Sequence, residues 1–264
     1  MLPHPFVNSV SDAGASREIK SGSRMDWLAS STLKIQPLGN DNRDEALAFL
    51  AARPLHTVVM AGMIRDNGVV SRLNRGTFYG CRDAKGYLEG VALIGHAVLV
   101  EARTEASLMA FARLAQDYTR AHLIAGEQER VASFWNYYAA SGQSPRLACR
   151  ELLFELRWPV EVREAVPALC PAGSKHLEAV MRVQAELAFA ESGVNPSEAD
   201  PLGFRMRCSR RIEQGRVWVW VEDDKLIFKA DVISETPEAI YLEGVYVHPE
   251  ERGKGYGLRC LSQM

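Results

Sequence analysis

The chain has 264 residues, a formal net charge of −2 at pH 7, 47% hydrophobic and 24% charged residues. That is length enough for two ordinary domains and the balance of a soluble globular protein, with no charge excess to draw nucleic acid or an anionic membrane as partner. The longest apolar run, Gly90 to Val100 broken by His96, is too short to span a bilayer. Cys81, Cys149, Cys170, Cys208 and Cys260 are odd in number and scattered, with no CxxC or Cys/His pairing to hold a metal. They read as reduced, mostly buried thiols of a cytoplasmic protein.

In chain order, residues 1–30 are rich in Ser, Gly, Asp and Arg and lack the apolar core of a signal peptide. A disordered leader is expected, with Met25 as an alternative start. Residues 31–158 read as one α/β unit. Thr32 to Leu38 predicts a strand, and Asp41 caps a helix running through Arg53, which Pro54 breaks. A second helix follows from Leu55 to Asp66, closed by Asn67-Gly68. Strands are expected at Gly76–Arg82, Leu88–Ile94 and Ala97–Ala102, the first two joined by a hairpin turn at Asp83-Ala84-Lys85-Gly86. Glu105 to Tyr118 carries Leu108, Phe111, Leu114, Ala115 and Tyr118 on one helical stripe. A short strand, His122–Ala125, precedes a helix with Val131, Phe134, Trp135 and Tyr138, whose spacing indicates core packing rather than a ring-stacking site. Leu147 to Leu156 closes the unit as an extended segment.

Trp158-Pro159 to Pro171-Ala172-Gly173 is the candidate junction. Beyond it, Val160–Val166 reads as a first strand. Ser174 caps a helix with Leu177, Val180, Met181 and Leu187 on its buried stripe, ending in Glu191-Ser192-Gly193-Val194-Asn195-Pro196. Asp200-Pro201 opens a further helix that stops at Gly215. Its Arg205, Arg207, Arg210 and Arg211 make a solvated basic face, with a phosphate-binding role as the alternative. Arg216–Val221, with Trp218 and Trp220, is a buried strand; an Asp223-Asp224 turn leads to Leu226–Ser234, and Ile240–Val247 is the last strand, stopped by Pro249.

That last strand runs into a loop with glycines at 253, 255 and 257 that opens a helix. Little side-chain bulk keeps an anion from the backbone there, and successive N–H groups can converge on phosphate oxygens beside the positive helix end. A dinucleotide fold would require a glycine where Leu258 stands, and a nucleotide-hydrolase loop would require Ser or Thr where Gly255 follows Lys254. What remains is Arg252-x-x-Gly255-x-Gly257 after Val245-x-Val247-x-Pro249. This combination resembles the acyl-CoA-binding motif of the GNAT superfamily of N-acetyltransferases, and the resemblance runs from roughly residue 160 to the end. An ordinary glycine-rich strand–helix turn is the competing reading.

The resemblance implies an α/β fold with a mixed α+β sheet: two GNAT-like domains, the second (160–264) incomplete at its C-terminus. It implies acetyl transfer from acetyl-CoA to a primary amine, with no metal. The alternatives are a non-catalytic acyl-CoA-binding or regulatory module and an unrelated anion-binding α/β protein. Val245, Val247, Arg252, Gly253, Lys254, Gly255, Tyr256 and Gly257 are the expected cofactor-binding residues. Making a lysine-like amine neutral at pH 7 costs about 4–5 kcal/mol, so a base is needed. Period two places Tyr241, Glu243, Val245 and Val247 on one face of the last strand. Glu243 is the candidate base, with an orienting role as the alternative, and N–H groups near Val245 to Val247 would polarise the thioester carbonyl. Glu186, Glu191, Ser192, Asn195 and Tyr241 fall where such folds contact the acceptor.

The order of elements in 31–158 is also GNAT-like, but Glu101-Ala102-Arg103-Thr104-Glu105 stands where the cofactor loop would be, without glycines and with two carboxylates that repel phosphate. This unit is expected to be a GNAT-like domain that has lost its cradle and packs on its neighbour. The family's leaving-group acid, a tyrosine on a later helix, would fall beyond Met264. A C-terminally truncated piece with little or no activity of its own is therefore expected. Acceptor, acyl preference and oligomeric state stay open.

Overall fold

The computed structural model describes residues 33–118, 121–139, 142–158, 161 and 164–264. The expected leader and part of the Val160–Val166 strand lie outside these residues.

Two sheets organise the chain. The first is built from β1 (Lys34–Pro37), β2 (Gly76–Arg82), β3 (Leu88–Gly95), β4 (Ala97–Ala102) and β5 (Leu123–Ala125), in that spatial order. Its pairs are antiparallel except β4–β5, which is parallel. Alternation in β3 sorts the two cores. Val91 and Leu93 pack with α1 (Arg43–Leu50) and α2 (Pro54–Asn67), while Ala92 and Ile94 pack with α3 (Glu105–Gln116) and α4 (Gln128–Tyr138). The second sheet has the order β6 (Cys170–Pro171), β7 (Val217–Glu222), β8 (Lys225–Glu235) and β9 (Ile240–Val247), all antiparallel. Its Val217, Val219 and Tyr246 meet α5 (Leu177–Ser192) and α7 (Pro201–Glu213); a short α6 (Pro196–Ala199) joins these helices. Its other face, with Trp218, Trp220, Phe228 and Val247, meets α8 (Tyr256–Gln263) through Cys260. The fold is thus of mixed α/β type.

Local signals place most boundaries. Gly68 closes α2 at φ 80°, and Asp200 caps α7 through Gly203 N at 3.0 Å ahead of Pro201. Asp223 and Asp224 both adopt left-handed φ, 47° and 61°, as a two-residue hairpin turn requires. Four expectations are corrected. Asp41 lies inside a 3-10 turn (Asn40–Asn42), not at the cap of a helix through Arg53, and α1 ends at Leu50. Ser174 likewise sits inside a 3-10 turn that Gly173 begins, and α5 starts at Leu177. Leu147–Leu156 forms no strand, and Leu152, Leu153, Phe154 and Leu156 face solvent. An extended segment needs a ladder partner, and none of the described strand pairs includes these residues. Among the described residues of Val160–Val166 there is no strand either. Instead, Gln263 of α8 accepts from Val166 N at 2.7 Å and donates to Val166 O at 3.1 Å.

Helix α2 also packs against the second sheet and α7. Ser234 Oγ of β8 donates to Val58 O at 2.6 Å, Arg216 donates to Asp66 at 2.8 Å, and Arg210 donates to Asn67 at 2.9 Å. Gly62 faces Ser234 so closely that an ideal Cβ would lie 1.9 Å from its Oγ. Helix propensity alone would make Gly62→Ala stabilising by about 1 kcal/mol. Overpacking of this kind costs about 1–3 kcal/mol, so Gly62→Ala should lower the urea midpoint. Adding Ser234→Gly should recover part of the loss, a coupling that a double-mutant cycle reads directly.

Three of the five thiols, Cys81, Cys208 and Cys260, are buried, Cys149 and Cys170 are exposed, and all are unpaired. Burial pushes Cys81 and Cys260 up to about 11. Among the described residues no helix is long and apolar enough to cross a membrane.

Candidate active site: the β9–α8 loop and the α5 face of β9

Strand β9 ends at Val247, and a 3-10 turn over Pro249–Glu251 swings the chain into the glycine loop. Gly253 and Gly255 have φ of 80° and 78°, and nothing lies within 4 Å of an ideal Cβ at either. Their backbone demands glycine, and the space beside them is open. Gly257 has ordinary φ, and its ideal Cβ would make only van der Waals contact with Val247 at 3.5 Å. Gly255 caps α8 in the left-handed conformation and, being glycine, offers the first N–H groups of the helix no capping side chain of its own. A hollow of about 390 Å³ opens here, lined by Val247, Arg252, Gly253, Gly255, Tyr256 and Gly257, and by Glu251 and Leu258, which the sequence did not single out. Arg252 Nε donates to Val247 O at 3.1 Å and ties the loop back to the strand. Trp220 meets the Tyr256 ring edge-on at 4.8 Å between centroids. Lys254 is turned to Glu251 at 2.5 Å and does not line the hollow.

A bulge divides the expected face of β9. Lys229 pairs with Tyr246 and Asp231 with Glu243, so two steps on β8 match three on β9. Gly244 absorbs the extra residue at φ 59°. Glu243 and Tyr246 consequently share the α5 side, whereas Val247 packs with Phe228 and Cys260 on the α8 side. The single face Tyr241–Glu243–Val245–Val247 does not exist, because period two fails across a left-handed glycine.

On the α5 side, Tyr241 donates to Glu243 Oε1 at 2.6 Å. Burial and that bond together push the Tyr241 hydroxyl well above the ordinary tyrosine range. Partial burial, then the charges of Glu151 and Glu243, raises Glu191, and burial followed by the charge of Glu186 raises Tyr246. Charge thus couples Glu191 to Glu243 and Glu151, and Tyr246 to Glu186, while Tyr241 is bonded to Glu243; Tyr246 and Glu151 are members the sequence reading missed. Ser192 and Asn195 are engaged locally. Ser192 Oγ donates to Ala188 O at 2.7 Å, and Asn195 caps α6 through Ser197 N at 3.0 Å.

The arginines of α7 each have a protein partner: Glu178 for Arg205, Asp200 for Arg207, Asn67 for Arg210 and Asp231 for Arg211. They form a paired, largely solvated face. Near the end of β4, Arg53 holds Glu101 at 3.2 Å and Glu127 at 2.6 Å. Arg53 holds the Glu127 carboxyl below the usual carboxylate range. Among the described residues, no group of three or more His, Cys, Asp or Glu is placed to hold a metal ion.

Residues 181–264 match the family model described as acetyltransferase (GNAT) family, and the match runs from within α5 through α8 and includes the whole glycine loop. Among solved structures, the chain is similar to an acetyltransferase of the GNAT family from Colwellia psychrerythraea, at 14% identity and a TM-score of 0.44, covering 86% of this chain and 82% of the other. It is also similar to a fungal multi-domain GH3 beta-N-acetylglucosaminidase containing a GCN5-related glucosamine N-acetyltransferase region, at 12% identity and a TM-score of 0.40. There the similarity covers 89% of this chain and 34% of the other. No curated protein matches the chain.

Proposed function

We propose that the chain is an acyl-CoA-dependent N-acyltransferase of the cytoplasm that moves an acetyl group from acetyl-CoA to a primary amine. In this reading residues 160–264 carry the catalytic unit, and residues 31–158 form a GNAT-like unit whose cradle position is occupied by the Arg53–Glu101–Glu127 cluster. One observation carries the reading. Gly253 and Gly255 adopt left-handed backbone with open space beside them, directly ahead of a helix start whose glycine cap offers no side chain, inside the segment matched to the GNAT family. Such a start holds an anionic group through backbone N–H bonds and the helix dipole. Val245, Val247 and Arg252 to Gly257 are the proposed acetyl-CoA residues. Val247 and Arg252 fit this role through the loop they line and brace, while Lys254 would have to leave Glu251 to reach a phosphate.

Glu243 is the proposed base. Tyr241 occupies its Oε1 and leaves Oε2 to accept the amine proton as the nitrogen attacks the thioester. Glu186, Glu191, Ser192, Asn195 and Tyr241 are the proposed acceptor contacts. The Tyr241–Glu243 bond also suits a second reading, a module that binds acyl-CoA without transferring the acyl group.

Calorimetric titration with acetyl-CoA, CoA and ADP tests the cradle. Binding of both CoA species in preference to ADP is expected, and equal binding of all three would leave an unspecific anion site. Release of CoA thiol with a panel of primary amines separates the two readings. Glu243→Gln should lower kcat/KM by about 10²–10⁴ with acetyl-CoA affinity unchanged, whereas unaltered turnover would remove Glu243 as base.

A further inference from the structure

Strand β8 carries a charged pair where its alternation calls for apolar residues. Lys229 is 0% exposed and Asp231 2%, and they stand opposite Tyr246 and Glu243 on the α5–α7 side of the sheet. The Lys229 ammonium touches three oxygens on three elements. It donates to Gln184 Oε1 of α5 at 2.8 Å and to the Gly244 carbonyl of β9 at 3.5 Å, and forms an ion pair with Asp231 Oδ1 at 2.8 Å. Arg211 of α7 reaches Asp231 Oδ2 at 3.3 Å, so two cations share one anion and the cluster has a net positive charge.

A sheet does not need such a cluster for stability. Apolar replacement of a buried ion pair is often neutral or stabilising. Its location supplies a different reason. It lies directly under Gly244 and Val245, which take no partner in the β8–β9 register, and an ideal Cβ on Gly244 would lie 3.0 Å from Lys229 Nζ. Burial draws the ammonium below the ordinary lysine range, which marks how little water shares the site. A cation on a peptide carbonyl polarises the whole amide and strengthens its N–H as a donor. The amide that begins with the Gly244 carbonyl ends with the Val245 N–H.

We propose that Lys229 is a positioning residue that holds and polarises the Gly244–Val245 peptide, so that the Val245 N–H donates to the acyl carbonyl oxygen of the bound thioester. The proposal rests on the acetyltransferase reading above. In the reaction the amine lone pair forms the C–N bond and the carbonyl π pair moves to the oxygen that Val245 N–H stabilises. Collapse restores the carbonyl and breaks the C–S bond, whose electron pair leaves on the CoA sulfur. The amine proton passes to Glu243, and the thiolate takes a proton from solvent.

The test is NMR of the whole chain labelled with ¹³C and ¹⁵N, following the Gly244 carbonyl carbon and the Val245 amide during titration with acetyl-CoA and, separately, with CoA, which lacks the acyl carbonyl. The wild-type Val245 amide should respond to acetyl-CoA beyond its response to CoA. Lys229→Met should shrink that difference by about fivefold or more, while CoA affinity changes by less than about twofold. Lys229→Arg, which keeps the charge, should retain part of it. Lys229→Met with Asp231→Leu, which removes both charges, serves as the second variant where the single one fails to fold. An undiminished difference in a folded variant would overturn the role of Lys229, as would CoA binding in the wild type with no acyl-dependent response at Val245. Failure of the wild type to bind either CoA species would instead overturn the acetyltransferase reading, and this proposal with it.

Discussion

Gly255→Glu is expected to weaken acetyl-CoA binding by about a hundredfold or more, equivalent to about 2.7 kcal/mol or above. Two costs add. A side chain at φ 78° is strained by about 1–2 kcal/mol, so the loop resists the conformation that aims its N–H groups outward. The new carboxylate also occupies the open space beside the glycine-capped start of α8, where the pyrophosphate would sit, and like charges repel there with little screening. The control is Gly142→Glu, which also meets positive-φ strain, at φ 92°, and equally open space in the exposed segment after α4. It should leave the affinity unchanged. Calorimetry measures both, with circular dichroism to verify folding. If the two variants bind acetyl-CoA as the wild type does, the loop is a structural turn and the cofactor site lies elsewhere.

Asp231→Leu should destabilise the chain by about 3–5 kcal/mol, since it strips a fully buried ammonium of its counter-charge. The combined Lys229→Met, Asp231→Leu variant should recover most of that loss, because it removes both desolvated charges at similar volume. The loss in Asp231→Leu should also depend on pH. Burial already lowers Lys229 in the folded chain, and without Asp231 it falls further. A base lowered in the folded state is penalised most where it is charged in both states. The penalty therefore fades as pH rises from the folded value toward the unfolded lysine value of about 10.4. Urea midpoints from neutral to alkaline pH should converge on those of the combined variant. Midpoints that stay parallel across that range would show that Lys229 is not buried as a cation.

Lys229 and Asp231 also show where sequence reading stopped short. Two charges at i and i+2 in Leu226-Ile227-Phe228-Lys229-Ala230-Asp231 were a visible signal, because a central strand excludes unpaired charge. Their partners were not visible, since Gln184 and Arg211 arrive from helices far along the chain. The bulge at Gly244 was similarly half legible. A lone glycine inside a strand pattern marks a bulge or a close approach, but here it is both, and the crossing of faces between Glu243 and Val247 follows from the register with β8. The segment at 147–156 shows the reverse failure. Its apolar pattern favours an extended chain, yet pattern alone supplies no ladder partner.

By itself the sequence determined what a few neighbouring residues can settle. The Asp200-Pro201 helix start, the Asp83–Gly86 and Asp223-Asp224 turns, the bounds of β2 and β4, and the glycine loop ahead of α8 all rest on local backbone preference and hydrogen bonding. Tertiary structure alone decided which side chains share a surface. It set Glu243 beside Glu191 and Tyr246, turned Val247 to the α8 core, brought Gly62 against Ser234 and buried Lys229 beneath Gly244. Register, bulges and the burial of charge depend on elements distant in sequence, and their free energy appears only once those elements meet.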